Sequence, residues 1–590
     1  MVCHWKKKLF ASCAILSVVS SIVIPTIPIV QAEDDDVILD FPSEVHHEGE
    51  AIEGGTLRYA LVQDTEIKGI LNNMFNGGES DGKIVELFNP GLYGYNENYE
   101  IDESGFADIE VDFENKQVKI TIPEGHTWHD GEPITIDDVI IPYKVIGHPD
   151  YDGIKYSEDL KNVVGMEEYH NGEADDISGL ERVDDHTLLV HYKEMNVSMK
   201  LAGGAILNLI EPSHIFKDIP VAEMFDSEYI RSTPIGFGPF KVDSYTHGEA
   251  VTFSAFDDYY EGRPKIDNIV LEVVGTSTII QELKAGNYDI ADLPADQFET
   301  YKDAENFTTL GVLSGTYSYI GFKFGHWDDE LGENVQDEDT VIRHKALRVA
   351  MQHAIDNNQI GSRFYHGLRQ NANSLITPNF VGTYNPDNPY YEYDPEEAMR
   401  VLDEAGFVDV DGDGMREDPD GNKFTLNFAT MAAGEVAEPI ATYYIQSWRD
   451  IGIDIQLLDG RLHDVNAFYD RVDKDDPEIQ VFQAAWSTGG DPNPYELYGK
   501  NAKFNYVRYA DEENERLLAN LTSEEAFDEE YRKQAYYEWQ KYMAEEVPCI
   551  PTLYRYNLVA VNNRVSNWNI NTGNKLNWNE IYLTAEEPIK

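Results

Sequence analysis

Cysteine, positive charge and long apolar runs are all scarce in this chain of 590 residues. Of its 3 cysteines, Cys3 and Cys13 stand at the N-terminus and only Cys549 lies in the body of the chain. That excludes an intrachain disulfide framework and a cysteine-rich zinc site. Lysine and arginine number 45 against 108 aspartates and glutamates, a net charge of -63. Such a field repels nucleic acid and anionic membrane surfaces, so a nucleic-acid role is excluded. Beyond the N-terminal segment no stretch is apolar enough to span a bilayer. The HExxH zinc motif, the P-loop and the dinucleotide-binding fingerprint are absent too.

What is present is material for packed cores: 42% of residues are hydrophobic and 12% aromatic, the composition of a globular protein. The length exceeds the ~250 to 300 residues at which one core stops growing, so two or more lobes are expected. At the N-terminus, Lys6, Lys7 and Lys8 precede an apolar stretch from Leu9 to Ile24 and a small-residue exit site at Val30-Gln31-Ala32. Residues 1–32 therefore read as a signal peptide, and the mature chain as exported. Ser17, Ser20, Ser21, Pro25 and Pro28 interrupt the stretch, which falls short of the ~20 residues of a membrane span. Residues 33–54 read as an acidic linker, with His46 and His47 on an exposed tail.

From there short strands and helices alternate without an internal repeat. Val118, Ile120 and Ile122 alternate with polar residues, as do Ile269, Leu271 and Val273, the period of half-buried strands. Between Arg343 and Asp356 the pairs Ala346/Leu347, Ala350/Met351 and Ala354/Ile355 recur every fourth residue, one face of a helix. A second helix has full punctuation: Asp394 as N-cap, Pro395 first, Glu397 closing a capping box, Gly406 after the end. A third is expected from Ser523 to about Met543. The mixture indicates α/β lobes.

Two local motifs bear on chemistry. Gly78-Glu79-Ser80-Asp81-Gly82 satisfies GxSxG, but the nucleophile elbow needs a buried strand before its serine, and the asparagine- and glycine-rich residues 71–77 read as a loop. Asp409, Asp411 and Asp413 with Gly414 occupy positions 1, 3, 5 and 6 of a calcium loop, and Asp420 stands at position 12. A structural calcium is one reading of this loop. The other is a polar turn between the Asp394 helix and a strand at Phe424–Phe428.

A series of segments in fixed order carries a resemblance. Trp128-His129-Asp130-Gly131-Glu132-Pro133, followed by Thr135 and Asp137-Asp138-Val139, resembles a signature of the family 5 extracellular solute-binding proteins, the peptide and nickel receptors of ABC importers. Pro234 to Phe240, Tyr259 to Asp267, Leu283 to Asp289, Arg343 to Asp356, Ala405-Gly406-Phe407, Trp486 to Pro494 and Pro548 to Tyr554 are similar to further family segments, so the resemblance covers nearly the whole mature chain. It implies a periplasmic-binding-protein-like α/β fold of the large peptide-binding type, two lobes joined by a hinge plus an extra domain. The implied first lobe is discontinuous, 55–95, 214–308 and 556–590; the extra domain spans 96–213 and the second lobe 309–555.

The same resemblance implies a binder and not an enzyme. An oligopeptide would be captured in the interlobe cleft and passed to the permease subunits of an ABC transporter by a monomeric, cell-surface-associated receptor without a cofactor. Another solute, a metal chelate or an oligosaccharide, is the alternative ligand on this fold; a secreted, calcium-stabilised hydrolase is the alternative class. Implied ligand contacts are Trp486, Ser487, Thr488, Gly489, Gly490 and Asp491, with Tyr319, Gly236 and Phe237. Two departures from the family pattern stand out. Gly489 occupies the place of an ammonium-gripping aspartate, with Asp491 the nearest acid, so grip on a peptide N-terminus is expected to be weak or displaced. Phe10-Ala11-Ser12-Cys13 lies too close to the lysines for a lipobox, so no lipid anchor is expected.

Overall fold

The computed structural model describes residues 41–571, 573 and 575–590; the signal-peptide reading of 1–32 and the start of the 33–54 stretch lie outside them. Eleven strands form one mixed sheet. In chain order they are β1 (Thr56–Val62), β2 (Phe240–Thr246), β3 (Ala250–Ala255), β4 (Asn268–Val274), β5 (Ile290–Asp292), β6 (Phe307–Phe322), β7 (Arg369–Asn371), β8 (Leu426–Ala429), β9 (Ile455–Leu457), β10 (Val481–Ser487) and β11 (Cys549–Asn562). Their spatial order is β9-β8-β10-β6-β11-β5-β1-β4-β3-β2, with β7 added to β11.

The long strands β6 and β11 carry both lobes. Phe307 to Leu313 pair with Asn562 to Tyr556 beside β5 and β1, and Tyr317 to Gly321 pair with Tyr554 to Cys549 beside β10. Between the two runs the register breaks at Leu313/Tyr317. Strand pairing thus yields where the sheet passes from one lobe to the other, the place at which two bodies can bend. Separate cores flank the break. One packs β6, β8 and β10 with Trp448, Tyr444 and Trp539; another fills the first lobe around Leu57, Ile269, Leu271 and Trp578. A third backs a four-stranded antiparallel sheet of Asp108–Asp112, Gln117–Thr121, Thr187–His191 and Leu180–Arg182. Among the described residues no helix is long and apolar enough to cross a membrane.

The alternating segments form strands, with Val118, Ile120, Ile269 and Leu271 buried. Helix ends differ from their sequence reading for local reasons. The first helix covers only Lys345–His353, because Asp356 accepts from the Gln359 N–H and caps a new helix, Asn357–Tyr365. Asp394 caps Pro395–Glu404 by accepting from the Glu397 N–H at 2.9 Å, but the box is open: Glu397 turns to Arg400, and the Asp394 N–H donates to His353 O. The third helix is Glu529–Glu546, capped by Asp528, after a 3₁₀ turn at Glu524–Phe527.

The reading of 33–54 as a free linker is corrected over its described part. Glu44–Val45 pair with Trp568–Asn569, Phe41 packs on Phe298 and Tyr556, and His47 hydrogen-bonds Val565 O and Thr308 Oγ1. Its apolar residues and histidines find partners on the first lobe, which a count of acidic residues does not reveal.

Candidate functional site

The signature segments build the frame of the site, not its surface. Asp138 accepts from the Trp128 indole (3.1 Å) and from the Thr135 and Ser213 N–H groups (2.7 Å each). The His129 N–H donates to Gly236 O at 2.9 Å, and its Nε2 lies 3.0 Å from Gly238 O. Burial pushes the His129 imidazole down to about 4, so it stays neutral there. A Cβ at Gly236 or Gly238 would lie 1.9 or 2.8 Å from Phe88 O, so only glycine permits this approach to the helix Glu79–Phe88. Phe237 is buried against Phe106 and Trp128. Gly236 and Phe237 are therefore corrected from ligand contacts to packing residues. Tyr319 is corrected likewise: it is buried in the second-lobe core against Phe482 and Tyr317.

The end of β10 has the opposite character. Trp486 is half-buried, stacked on Tyr506 (5.1 Å between centroids, 26° between planes) with Phe504 edge-on at 5.8 Å. The Thr488 N–H and hydroxyl donate to Gly315 O at 2.9 and 2.8 Å, so even-numbered residues here bond toward β6. Ala485 turns the other way and exchanges both backbone groups with the Tyr469 hydroxyl. Alternate residues of an antiparallel strand present N–H and C=O on the same side. Ser487 therefore offers both on the side where β8 has already ended opposite Phe482, and it is exposed. Gly489, at φ +56°, is exposed with open space beyond it. Gly490 closes the loop against the far side of the cleft, where a Cβ would meet Ala202 O at 2.4 Å.

Asp491 follows, and its surroundings are acidic. Asp159 and Glu158 lie on the short helix Glu158–Lys161, and Glu496 on Tyr495–Tyr498. Burial, then Asp491 and Glu158, pushes the Asp159 carboxyl up to about 7. Burial, then Asp159 and Glu158, pushes Glu496 up to about 7. Burial raises Asp491 as well. Lys161 pairs with Glu158, leaving the others without a basic partner among the described residues. Crowded, desolvated carboxylates favour an incoming cation, because it stabilises the charged form that burial, and for Asp159 and Glu496 also repulsion, disfavours.

On the first-lobe wall, Lys83 bridges Asp292 (2.6 Å) and Glu79 (3.2 Å). Lys83 chiefly holds the Glu79 carboxyl down, while burial raises that of Glu86, although solvent reaches both side chains. Groups that are wetted yet ringed by protein mark an enclosed polar cleft. Ser80 donates to Gln63 Oε1 at the start of a helix preceded by loop, so the nucleophile-elbow geometry is not formed.

The calcium-loop residues are distributed unevenly. Asp409, Asp411 and Asp413 converge, all exposed, but Asp420 is not among them and caps no fourth corner. The backbone N–H groups of Gly412 and Gly414 donate to Asp409, and Lys423 Nζ sits 2.6 Å from both Asp411 and Asp413. The loop meets its own charge with backbone and lysine, so an ion held by its three converging aspartates would have to displace Lys423. The acidic residues of the cleft have no comparable spacing along the chain: Glu158 and Asp159 come from one segment, Asp491 and Glu496 from a distant one, and only Asp491 is marked in the sequence, by its place in the Trp486 to Pro494 family segment.

Comparison with known proteins agrees with this architecture. Residues 103–506, more than half of the chain, match the family model described as bacterial extracellular solute-binding proteins, family 5 Middle. The oligopeptide-binding protein OppA of Lactococcus lactis subsp. lactis (strain IL1403) is 30% identical over 507 residues, 84% of each chain. A solved structure of lactococcal OppA, complexed with an endogenous peptide in the closed conformation, superposes with a TM-score of 0.86 at 28% identity, over 90% of this chain and 100% of that one. The fold is shared with AppA from Bacillus subtilis in complex with a nonapeptide, at TM-score 0.76 and 23% identity over 90% and 100% of the two chains. The chain belongs to the family 5 bacterial extracellular solute-binding proteins.

Proposed function

We propose that the protein captures oligopeptides between its lobes and delivers them, chemically unchanged, to an ABC importer at the cell surface, acting as an exported monomer. The observation that carries this reading is the free edge at Ser487, with Trp486 beside it and Gly489 open next to it, on a sheet whose two long strands run through both lobes. An extended peptide adds to such an edge by backbone hydrogen bonds, which are independent of its sequence. The aromatic surface contributes apolar contact, and the peptide's ammonium finds the carboxylates of Asp491, Asp159 and Glu496. The OppA relative, named as an oligopeptide-binding protein and solved with an endogenous peptide, supports the ligand class.

Native mass spectrometry of the protein purified without added ligand tests this, followed by calorimetric titration with a hexapeptide. Retained peptide masses, saturable heat and recovery of the intact hexapeptide are expected. No binding to any member of a diverse peptide mixture, or time-dependent cleavage of the peptide, would overturn the reading.

A further inference from the structure

Gly94–Tyr95 pairs with Ile101–Asp102 as a short hairpin, and residues 96–100 turn between them. The turn closes on itself. The Asn96 N–H donates to Glu100 O and the Tyr99 N–H to Asn96 O, both at 2.9 Å, while Asn96 Oδ1 accepts from the Asn98 and Glu100 N–H groups. Those bonds hold Tyr99 at φ +61°, in the left-handed region that a bulky side chain rarely adopts. Residues held in this way persist where their surroundings over-determine them, and they cluster at ligand clamps and switch points. The Tyr99 carbonyl is tied down as well: it accepts from the Ala202 N–H at 2.8 Å, and Ala202 belongs to the core behind the four-stranded sheet.

The Tyr99 ring packs elsewhere. It is buried within the second-lobe core, with Tyr95 stacked on it at 6.0 Å and Phe380 tilted against it at 5.2 Å between centroids. Phe380 is held at the break in β6, because the adjacent Asn379 amide donates to Leu313 O at 2.8 Å. A Cβ at Gly315, inside that break, would stand 3.9 Å from the Tyr99 hydroxyl oxygen, and one at Gly490 would stand 2.9 Å from the Tyr99 ring. Gly490 is not in the left-handed region, so space and not backbone conformation demands glycine there. One ring thus meets the sheet break, the Phe380 segment and the end of the Ser487–Gly490 edge. The hairpin is built by its own bonds and the seat by the second lobe, so the two meet only when the lobes come together.

We propose that Tyr99 is the latch of the closed form: its ring enters the second lobe between Phe380 and Gly490 as the lobes meet, so that closure and the shaping of the ligand edge at Ser487–Gly490 are one event. The inference rests on the peptide-receptor reading. The turn presents the ring in one pose before closure, so seating it costs little conformational entropy, and its burial favours the closed form that retains the peptide. Without the ring the population shifts toward the open form, from which peptide escapes. Dissociation then quickens, while the approach of peptide to the open cleft is unaltered. Tyr99 is a positioning residue, acting through the lobes and not by touching the peptide.

Stopped-flow measurement of the association and dissociation of a fluorescent hexapeptide, with small-angle X-ray scattering of the same full-length proteins, tests this. The wild-type protein should contract when saturated with peptide. Tyr99→Ala should release the peptide about tenfold to a hundredfold faster, keep its association rate within about threefold, and contract less at saturation. Tyr99→Phe, which keeps the ring, should recover both slow release and contraction. Gly490→Ala obstructs the seat from the other lobe and should reproduce the fast release; it decides the matter if Tyr99→Ala lowers the melting temperature of the peptide-free protein. Wild-type release and contraction in Tyr99→Ala, or in Gly490→Ala where that variant decides, would overturn the latch, as would a loss confined to the association rate or a Tyr99→Phe protein that behaves like Tyr99→Ala. A wild-type protein that binds no peptide would instead sink the peptide-receptor reading, whereas equal binding and contraction in wild type and variants would sink the latch alone.

Discussion

The loop at Asp409–Asp413 and the acidic end of the cleft are both clusters of carboxylates, yet they are in opposite states. In the loop every aspartate is exposed, backbone N–H groups donate to the oxygens, and Lys423 lies between two of them, lowering Asp413. In the cleft Asp159, Glu496 and Asp491 are crowded and desolvated, and their carboxyls are raised. Proximity of acids alone therefore says little; what separates the two is whether the chain itself has met their charge. The cluster whose Asp159, Asp491 and Glu496 make no ion pair among the described residues is the one between the lobes, although the Asn493 N–H donates to Asp491.

The widest gap between them should appear in binding. For the wild-type protein, N-acetylation of a hexapeptide should weaken binding about tenfold to a hundredfold, since a charge-assisted hydrogen bond contributes about 1.5 to 3 kcal/mol. Asp159→Asn with Glu496→Gln should shrink that ratio severalfold, whereas Asp411→Asn with Asp413→Asn should leave it untouched. Equal affinity for free and acetylated peptide would return the site to backbone and aromatic contacts alone, as Gly489 suggests from sequence.

The two clusters should also respond to pH with opposite signs. Asp159 and Glu496 titrate near 7 in the folded chain against about 3.9 and 4.3 when unfolded. Between those values the folded state holds more protons, so stability falls as pH rises from about 4 to 7 and the penalty is complete above 7. Asp413 is depressed, so its contribution is present at neutral pH and is lost on acidification. Melting curves from pH 5 to 8 should slope downward, less steeply in Asp159→Asn with Glu496→Gln and unchanged in Asp413→Asn. An identical slope in the cleft variant would show that those carboxyls titrate normally.

Much of the fold was legible because it rests on local patterns: alternation for the strands at Val118 and Ile269, a cap and proline for Pro395–Glu404, and ordered family segments for the two lobes. The site was legible only at β10, where an aromatic residue precedes glycines. Tyr319 and Phe237 misled because an aromatic side chain in a family segment serves a core as readily as a ligand, and only burial separates the two. The Trp486 segment marks Asp491 in the sequence, but Asp159 lies far from it along the chain and meets it only in the fold, so nothing near Asp159 announces the charge it will face.

Trp486 sharpens the comparison by isolating what charge does not supply. A fully buried large apolar side chain contributes about 1.5 to 3 kcal/mol; Trp486 is half-buried and already rests on Tyr506 and Phe504. Trp486→Ala should therefore weaken free and acetylated peptides equally, about threefold to tenfold. Loss confined to the free peptide would tie the tryptophan to the acidic end, and normal binding would assign it to the core.

The smallest effect is expected where the sequence motif is most complete. Calcium entering the Asp409 loop must displace Lys423, whose ammonium lies 2.6 Å from Asp411 and Asp413, and it lacks a ligand from Asp420. Millimolar calcium should leave the melting temperature of the wild-type protein unchanged. Lys423→Ala removes the competing charge, so a calcium-dependent rise that a chelator reverses should appear only in that variant, because stabilisation requires concentrations well above Kd. A reversible rise in the wild-type protein that Asp411→Ala abolishes would mean that the lysine yields to the ion. The loop would then resemble the cleft after all, a carboxylate cluster whose charge is completed from outside the chain.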